Sequence, residues 1–154
     1  MSLARSLKIK PTDNPDTITR EWTEIVRALT QQISEWASEE GWSVKTSRKQ
    51  IDEGPFGIYE IPVLTLEVPS RRKHNSRWFR QPGGRLTLEP IARNFPGSGI
   101  IELYAYPSLY RVRLILRSEA ASWEVLTDSG IPLHQEWNKV NFVTLANDLL
   151  AAGQ

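Results

Sequence analysis

The first strong pattern in the chain is a helical spacing of apolar residues. Over residues 18–36 they recur at intervals of three and four, which lines one face of an α-helix. Asp16 or Thr17 can cap its N-terminus, and Gly41 suits the left-handed residue that follows a helix. We therefore predict an amphipathic helix from residue 16 or 17 to just before Gly41, preceded by a polar lead-in over residues 1–15.

Beyond this helix the pattern changes to the alternation of apolar and polar residues that is typical of strands. Turn-forming Gly, Pro and Asp residues separate the alternating stretches. The predicted strands cover residues 43–51, 57–68, 85–91, 99–106, 109–117 and 122–127. Their connections are too short for crossover helices, so we expect the strands to pair antiparallel as a meander.

The pattern becomes helical again near the C-terminus, where Asn138 can cap a helix running to about Ala151. The residues predicted to face inward are Val140, Phe142, Val143, Ala146, Leu149 and Leu150. We predict one α+β domain over residues 16–154. It is a twisted antiparallel meander sheet of five or six strands, with the N-terminal and C-terminal helices packed on one face.

One hairpin can be predicted residue by residue. A two- or four-residue turn around Pro107 and Ser108 pairs Tyr104 with Arg111, and Glu102 with Arg113. The alternate residues then form the core side, where Ile101, Leu103 and Ala105 face Leu114, Val112 and Tyr110. Cross-strand pairs of this kind contribute about 0.2–1 kcal/mol each. A three-residue turn would reverse the parity and destroy this separation of polar and apolar residues.

Charge is distributed unevenly along the chain. The total is 19 Lys and Arg against 18 Asp and Glu, yet residues 71–85 hold six of the cations and no acid. The cations of this basic segment are Arg71, Arg72, Lys73, Arg77, Arg80 and Arg85. Removing those six leaves 13 cations against 18 acids in the rest of the chain. Charge concentrated in this way attracts anionic partners and speeds their encounter.

Two functions fit the basic segment. In the first, it is a hairpin arm of a non-enzymatic binding domain, whose cations contact the phosphates of nucleic acid while Trp78 stacks on a base. In the alternative, Trp78 and Phe79 with their neighbouring arginines form a protein–protein interface, in an accessory subunit or a homodimer. A small-molecule pocket between helices and sheet is a third option that no particular residue specifies.

A second candidate surface is the polar side of the predicted hairpin. The predicted register places Tyr104, Tyr106, Arg111 and Arg113 on one sheet face, away from the helices. Open sheet faces with aromatic residues and arginines can hold single-stranded nucleic acid. The simpler interpretation is a solvent-facing side on which Tyr–Arg and Glu–Arg pairs satisfy one another. The binding hypothesis gains weight if the basic segment folds beside this face.

Common catalytic chemistries find no support in the residues. The chain has no cysteine and only two histidines, His74 and His134, and no acid stands two positions before any lysine. These features disfavour thiol chemistry, a zinc site and the metal-dependent nuclease motif. No glycine-rich phosphate loop occurs. We therefore predict no catalytic residues, no metal ligands and no cofactor.

The sequence also indicates where the protein works. No apolar run reaches the roughly 20 residues of a membrane-spanning helix, and the first residues lack the apolar core of a cleaved signal peptide. We expect a cytoplasmic protein without a membrane partner.

Overall fold

The structure is a computed structural model that describes residues 15–54, 57–72, 80–81, 83–92, 98–106, 110–117, 123–127, 132–133 and 136–152. Its elements in chain order are α1 (Pro15–Glu39), β1 (Ser43–Asp52), β2 (Ile58–Val68), β3 (Arg71–Arg72), β4 (Arg80–Gln81), β5 (Gly84–Ala92), β6 (Ser98–Tyr106), β7 (Arg111–Arg117), β8 (Trp123–Leu126), β9 (Pro132–Leu133) and α2 (Lys139–Ala152). The six predicted strands and both predicted helices are present, each within two residues of its expected ends.

The strands pair as the predicted antiparallel meander. Their order in the main sheet is β1-β2-β5-β6-β7-β8-β9. Each strand is therefore hydrogen-bonded to the next long strand along the chain, as short connections require. The two-residue strand β9 extends this sheet beyond the six strands expected from the sequence. Strands β3 and β4 lie outside it and pair with each other as a separate two-stranded ladder.

Helix α1 ends where the sequence indicates, through backbone bonds of the Schellman type. Gly41 adopts a φ of 80°, in the left-handed region that glycine enters without steric cost. Its N–H bonds the Ser38 carbonyl at 3.0 Å, and the Trp42 N–H bonds the Ala37 carbonyl at 2.9 Å. These two bonds satisfy carbonyls at the helix end and turn the chain directly into β1, with Trp42 buried.

Both helices pack on the same face of the sheet, which we call the core face. Its buried strand residues are Leu64, Leu66, Val68, Leu86, Leu88, Ile101, Leu103, Ala105, Val112, Leu114, Trp123 and Val125. Gly99 on this face lies directly under the Trp22 ring of α1, and a Cβ at Gly84 would meet Leu150 of α2 at 2.8 Å. The predicted α+β arrangement with both helices on one side is thus confirmed.

Helix α2 begins at the predicted cap, since the Asn138 Oδ1 accepts a hydrogen bond from the Asn141 N–H at 2.8 Å. One predicted core residue of this helix is wrong: Val140 is 72% exposed. It precedes the buried Phe142 by two residues, which places it about 200° away around the helix. The buried positions are Phe142, Ala146, Leu149 and Leu150. Neither helix in the described part of the chain is long and apolar enough to cross a bilayer.

The predicted hairpin register is confirmed between β6 and β7. Ile101 pairs with Leu114 and Leu103 with Val112 on the core face. The intervening residues point to the other side of the sheet, because side chains alternate along a strand. There Glu102 pairs with Arg113, and Tyr104 pairs with Arg111. The prediction is wrong for Tyr110, which was expected on the core side opposite Ala105. It lies beyond the last pair, Tyr104 with Arg111, and is 58% exposed.

Candidate anion-binding face

The side of the sheet turned away from the helices is polar at its centre, and we call it the open face. Its central residues on β2, β5, β6 and β7 are Thr65, Glu67, Arg85, Thr87, Glu89, Glu102, Tyr104, Tyr106, Arg111 and Arg113. They align in three rows that cross the strands, because residues directly opposite each other in a ladder project to the same side. Each row brings together side chains that are distant in sequence.

The first row consists of Glu67, Arg85 and Tyr106, which are direct neighbours on β2, β5 and β6. The Arg85 Nε donates to the Glu67 Oε1 at 2.8 Å. Its guanidinium carbon lies 6.0 Å from the Tyr106 ring centroid, within the range of a cation–π contact. Arg85 is therefore held from both sides, while about half of its side chain stays exposed.

The second row consists of Thr65, Thr87, Tyr104 and Arg111 on β2, β5, β6 and β7. Here too an arginine contacts both a tyrosine ring and a carboxylate. Arg111 on β7 lies over the ring of its cross-strand partner Tyr104, 5.7 Å from the centroid. Its Nη1 donates to the Glu102 Oε2 at 3.0 Å. Two guanidinium groups in adjacent rows are thus each fixed by one carboxylate and one tyrosine. A planar guanidinium held in this way is suited to paired hydrogen bonds with an oxyanion.

The third row places two carboxylates side by side, since Glu89 of β5 is the direct partner of Glu102 of β6. Like charges directly opposite each other destabilise a sheet, so each carboxylate requires cations. Glu102, whose side chain is only 11% exposed, has Arg111 at 3.0 Å and Arg113 at 3.8 Å. Glu89 binds the Lys49 Nζ of β1 at 2.8 Å.

The bonds to Glu89 determine its protonation. Burial alone would raise the pKa of the Glu89 carboxyl. Hydrogen bonds from Lys49 and Tyr104, with the charges of Lys49 and Arg111, outweigh that effect and hold the pKa below its usual value. The Tyr104 hydroxyl donates to the Glu89 Oε1 at 2.8 Å. Burial and this bond raise the pKa of Tyr104. The pair therefore remains a carboxylate with a neutral phenol at neutral pH.

Lys49 reaches Glu89 from the β1–β2 hairpin. Strand β2 is paired with β5 from Leu64 to Val68, whereas its pairing with β1 continues past Pro62 to Ile58. The outer part of the β1–β2 hairpin is therefore a two-stranded ribbon, which twists more strongly than a wide sheet. Lys49 lies on this ribbon opposite Ile61, and the salt bridge to Glu89 connects it to β5.

The structure places the residues of the basic segment as follows. Arg71 and Arg72 form β3, which pairs with Arg80 and Gln81 of β4. Lys73, Arg77 and Trp78 lie outside the described residues, as does Phe79. Arg85 lies on β5, on the open face. A Cβ at Gly83 would come within 2.6 Å of the Ser70 backbone nitrogen, so the two arms of the segment meet closely where they leave β2 and enter β5.

The residues of the second predicted surface lie on one sheet face, as the sequence indicated. Tyr104, Tyr106, Arg111 and Arg113 all lie on the open face. The two candidate surfaces, which the sequence treats separately, meet at Arg85. This residue ends the basic segment and directly opposes Tyr106.

Sequence reasoning missed the role of Lys49, Glu67 and Glu89 on this face. Glu67 and Glu89 are recognisable as strand residues, but only the register across β1, β2 and β5 reveals their partners. No alternation of polarity fixes that register, because the long basic segment interrupts the chain between β2 and β5.

The chemistry of the open face is that of ion pairing. Glu67, Glu89 and Glu102 are each bound to a cation, and the residues described include no cluster of three or more metal-ligating side chains. The groups that remain presented to solvent are half-exposed guanidiniums and the Tyr106 ring, which is 68% exposed. Such groups can bind an anion and a flat apolar surface together.

Comparison with known proteins adds no further information on function. No family model, curated protein or solved structure matches this chain. The geometry of the open face and the charge of the basic segment are the features that bear on function.

Proposed function

We propose that this protein is a binding domain for nucleic acid, which it holds through the basic segment and the adjoining open face. The observation that carries the proposal is the row Glu67–Arg85–Tyr106. Through Arg85, the segment with six cations and no acid joins a sheet face with an exposed tyrosine. A chain of phosphates and bases requires cations and a ring surface at adjacent positions.

The open face and the basic segment differ in net charge, so we assign them different roles in binding. On the open face, Lys49, Arg85 and Arg111 are each bound to a carboxylate, so this face adds little net charge. The basic segment has no acid of its own. We therefore assign most phosphate contacts to Arg71, Arg72, Lys73, Arg77 and Arg80, with Trp78 stacking on a base. Arg85 is already bound to Glu67 and contributes through its remaining guanidinium nitrogens. This role requires a compartment that contains nucleic acid, and we place the protein in the cytoplasm.

The proposal makes affinity depend strongly on salt. Each phosphate contact releases a condensed counterion, so the logarithm of the binding constant falls linearly with the logarithm of salt concentration. The test is fluorescence anisotropy of labelled single- and double-stranded oligonucleotides at low and moderate salt. In the variant R71A/R72A/K73A we expect weaker binding and a slope reduced by about two to three.

A matched control removes the same charge elsewhere. Arg20 and Arg27 on α1 and Arg48 on β1 are exposed and lie away from the open face, so the variant R20A/R27A/R48A should retain most of the affinity and slope. Equal losses in both triple variants would show that net charge alone drives binding and would contradict the assigned segment. No binding at low salt, together with self-association that Trp78→Ala abolishes, would identify a protein interface instead.

A further inference from the structure

We infer that the open face selects single-stranded over double-stranded nucleic acid, with unpaired bases held on the tyrosines of β6. This inference rests on the proposed function and specifies its substrate class. It concerns the part of the site formed by Arg85, Tyr104, Tyr106 and Arg111, which we call the tyrosine platform.

Tyr106 presents the stacking surface of the platform. Its side chain is 68% exposed, although it belongs to a strand of the main sheet. The Arg85 guanidinium carbon lies 6.0 Å from the ring centroid, a cation–π contact that leaves most of Tyr106 exposed. An aromatic ring kept in one orientation loses little conformational freedom when a base stacks on it. Bases of any identity can stack on such a ring, because each has a π face.

The spacing of the two tyrosines disfavours a duplex. Tyr104 and Tyr106 are two residues apart on β6, so they project to the same side roughly 7 Å apart along the strand. Bases in a duplex rise by about 3.4 Å per nucleotide, and their faces are covered by their neighbours. An extended single strand can separate successive bases to the spacing of the two rings and expose their faces to them.

The arginines lie where the backbone of such a strand would run. Arg85 on β5 and Arg111 on β7 flank the tyrosines from opposite sides of β6. Each retains guanidinium nitrogens beyond the one that binds Glu67 or Glu102. Because those carboxylates orient the guanidiniums, less side-chain freedom is lost when a phosphate binds.

The experiment compares a labelled 20-nucleotide single strand of mixed sequence with the duplex of the same sequence. The proteins are the wild-type chain, Tyr106→Ala, Tyr106→Phe and R71A/R72A/K73A. We expect wild type to bind the single strand more tightly than the duplex. Tyr106→Ala should weaken single-strand binding roughly 5- to 150-fold, which is the range for loss of one base–aromatic stack. Tyr106→Phe keeps the ring and should remain within about two-fold of wild type.

The outcomes separate this inference from the proposed function. If single strand and duplex bind equally, Tyr106→Ala changes neither, and R71A/R72A/K73A weakens both, then the tyrosine platform is refuted while the basic segment stands. If no oligonucleotide binds in a salt-dependent manner, both the proposed function and the inference are overturned. A selective loss of single-strand binding in Tyr106→Ala, restored in Tyr106→Phe, supports both.

Discussion

The two faces of the sheet are built from the same strands but bury very different groups. On β6, Leu103 is 0% exposed on the core face, and its neighbour Glu102 is 8% exposed on the open face. The leucine is covered by the helix layer, whereas the carboxylate is enclosed by Arg111 and Arg113. Burial of an aliphatic group needs only apolar neighbours, while burial of a charge needs specific partners. The core face therefore tolerates exchange among apolar residues of similar size, whereas removing one partner of a buried charge on the open face is costly.

The largest expected effect lies on the core face. Leu103→Ala removes buried methyl groups and leaves a cavity, so it should lower the free energy of unfolding by about 2–5 kcal/mol. Tyr106→Ala, three residues along on the open face, should change it by about 0.5 kcal/mol, because the ring is mostly exposed. Urea unfolding of both variants measures the difference. Equal losses would mean that the open face is as closely packed as the core.

An intermediate effect should appear at the buried carboxylate. Glu102→Ala removes the shared partner of Arg111 and Arg113, with an expected loss of about 1–2 kcal/mol. Glu67→Ala is the matched control, since Glu67 also binds an arginine at 2.8 Å but is half exposed. Exposed pairs contribute little, so its loss should stay below about 0.5 kcal/mol. If denaturant unfolding gives Glu67→Ala the larger loss, burial is not what distinguishes the two pairs.

The smallest effect is a dependence of stability on pH at Glu89. Its pKa is lower in the folded protein than the usual value of 4.5. A lowered pKa stabilises the folded state at pH values above 4.5, and this contribution is lost as the pH falls through the folded value. Wild type should therefore be more stable than Glu89→Gln at pH 7, by less than the Glu102 effect, and the difference should shrink below about pH 4.5.

The partner lysine provides the control for this pH dependence. Lys49→Met removes the cation that binds Glu89, so introducing Glu89→Gln into that background should produce a smaller pH-dependent difference. Thermal or urea unfolding of the four proteins at pH 7, 5 and 3.5 completes the cycle. A difference that grows on acidification would contradict the sign derived for Glu89.

The same contrast explains how much the sequence could predict. The core face can be recognised in the sequence from the alternation of apolar and polar residues along each strand. The polar residues of β6 and β7 could also be paired, because few residues separate the two predicted strands. Tyr104 opposite Arg111 and Glu102 opposite Arg113 were therefore predictable. Val140 was misassigned because α2 is apolar on more than one side, and a wide apolar pattern does not determine which side is buried.

The rest of the open face could not be predicted for a physical reason. The pairs of Lys49 with Glu89 and of Arg85 with Glu67 join positions separated by turns or by the basic segment. Loop closure over such a distance costs nearly the same free energy for neighbouring registers, so local sequence does not select among them. The register follows from packing of the whole core face, to which β1, β2 and β5 all contribute. The open-face pairs are consequences of that packing.

The helix contacts at Gly99 and Gly84 have a consequence for tracing the ancestry of this protein. Any side chain at Gly99 would overlap the Trp22 ring, and Gly84 has a φ of 149° that disfavours other residues. The first requirement comes from the Trp22 side chain and the second from the backbone conformation at Gly84, and neither involves the charges of the open face. A distant relative that has lost the arginines and tyrosines of the open face should still carry glycine at the starts of β5 and β6, at the positions of Gly84 and Gly99. These two positions, with an aromatic residue on α1, would reveal common descent after overall similarity has faded.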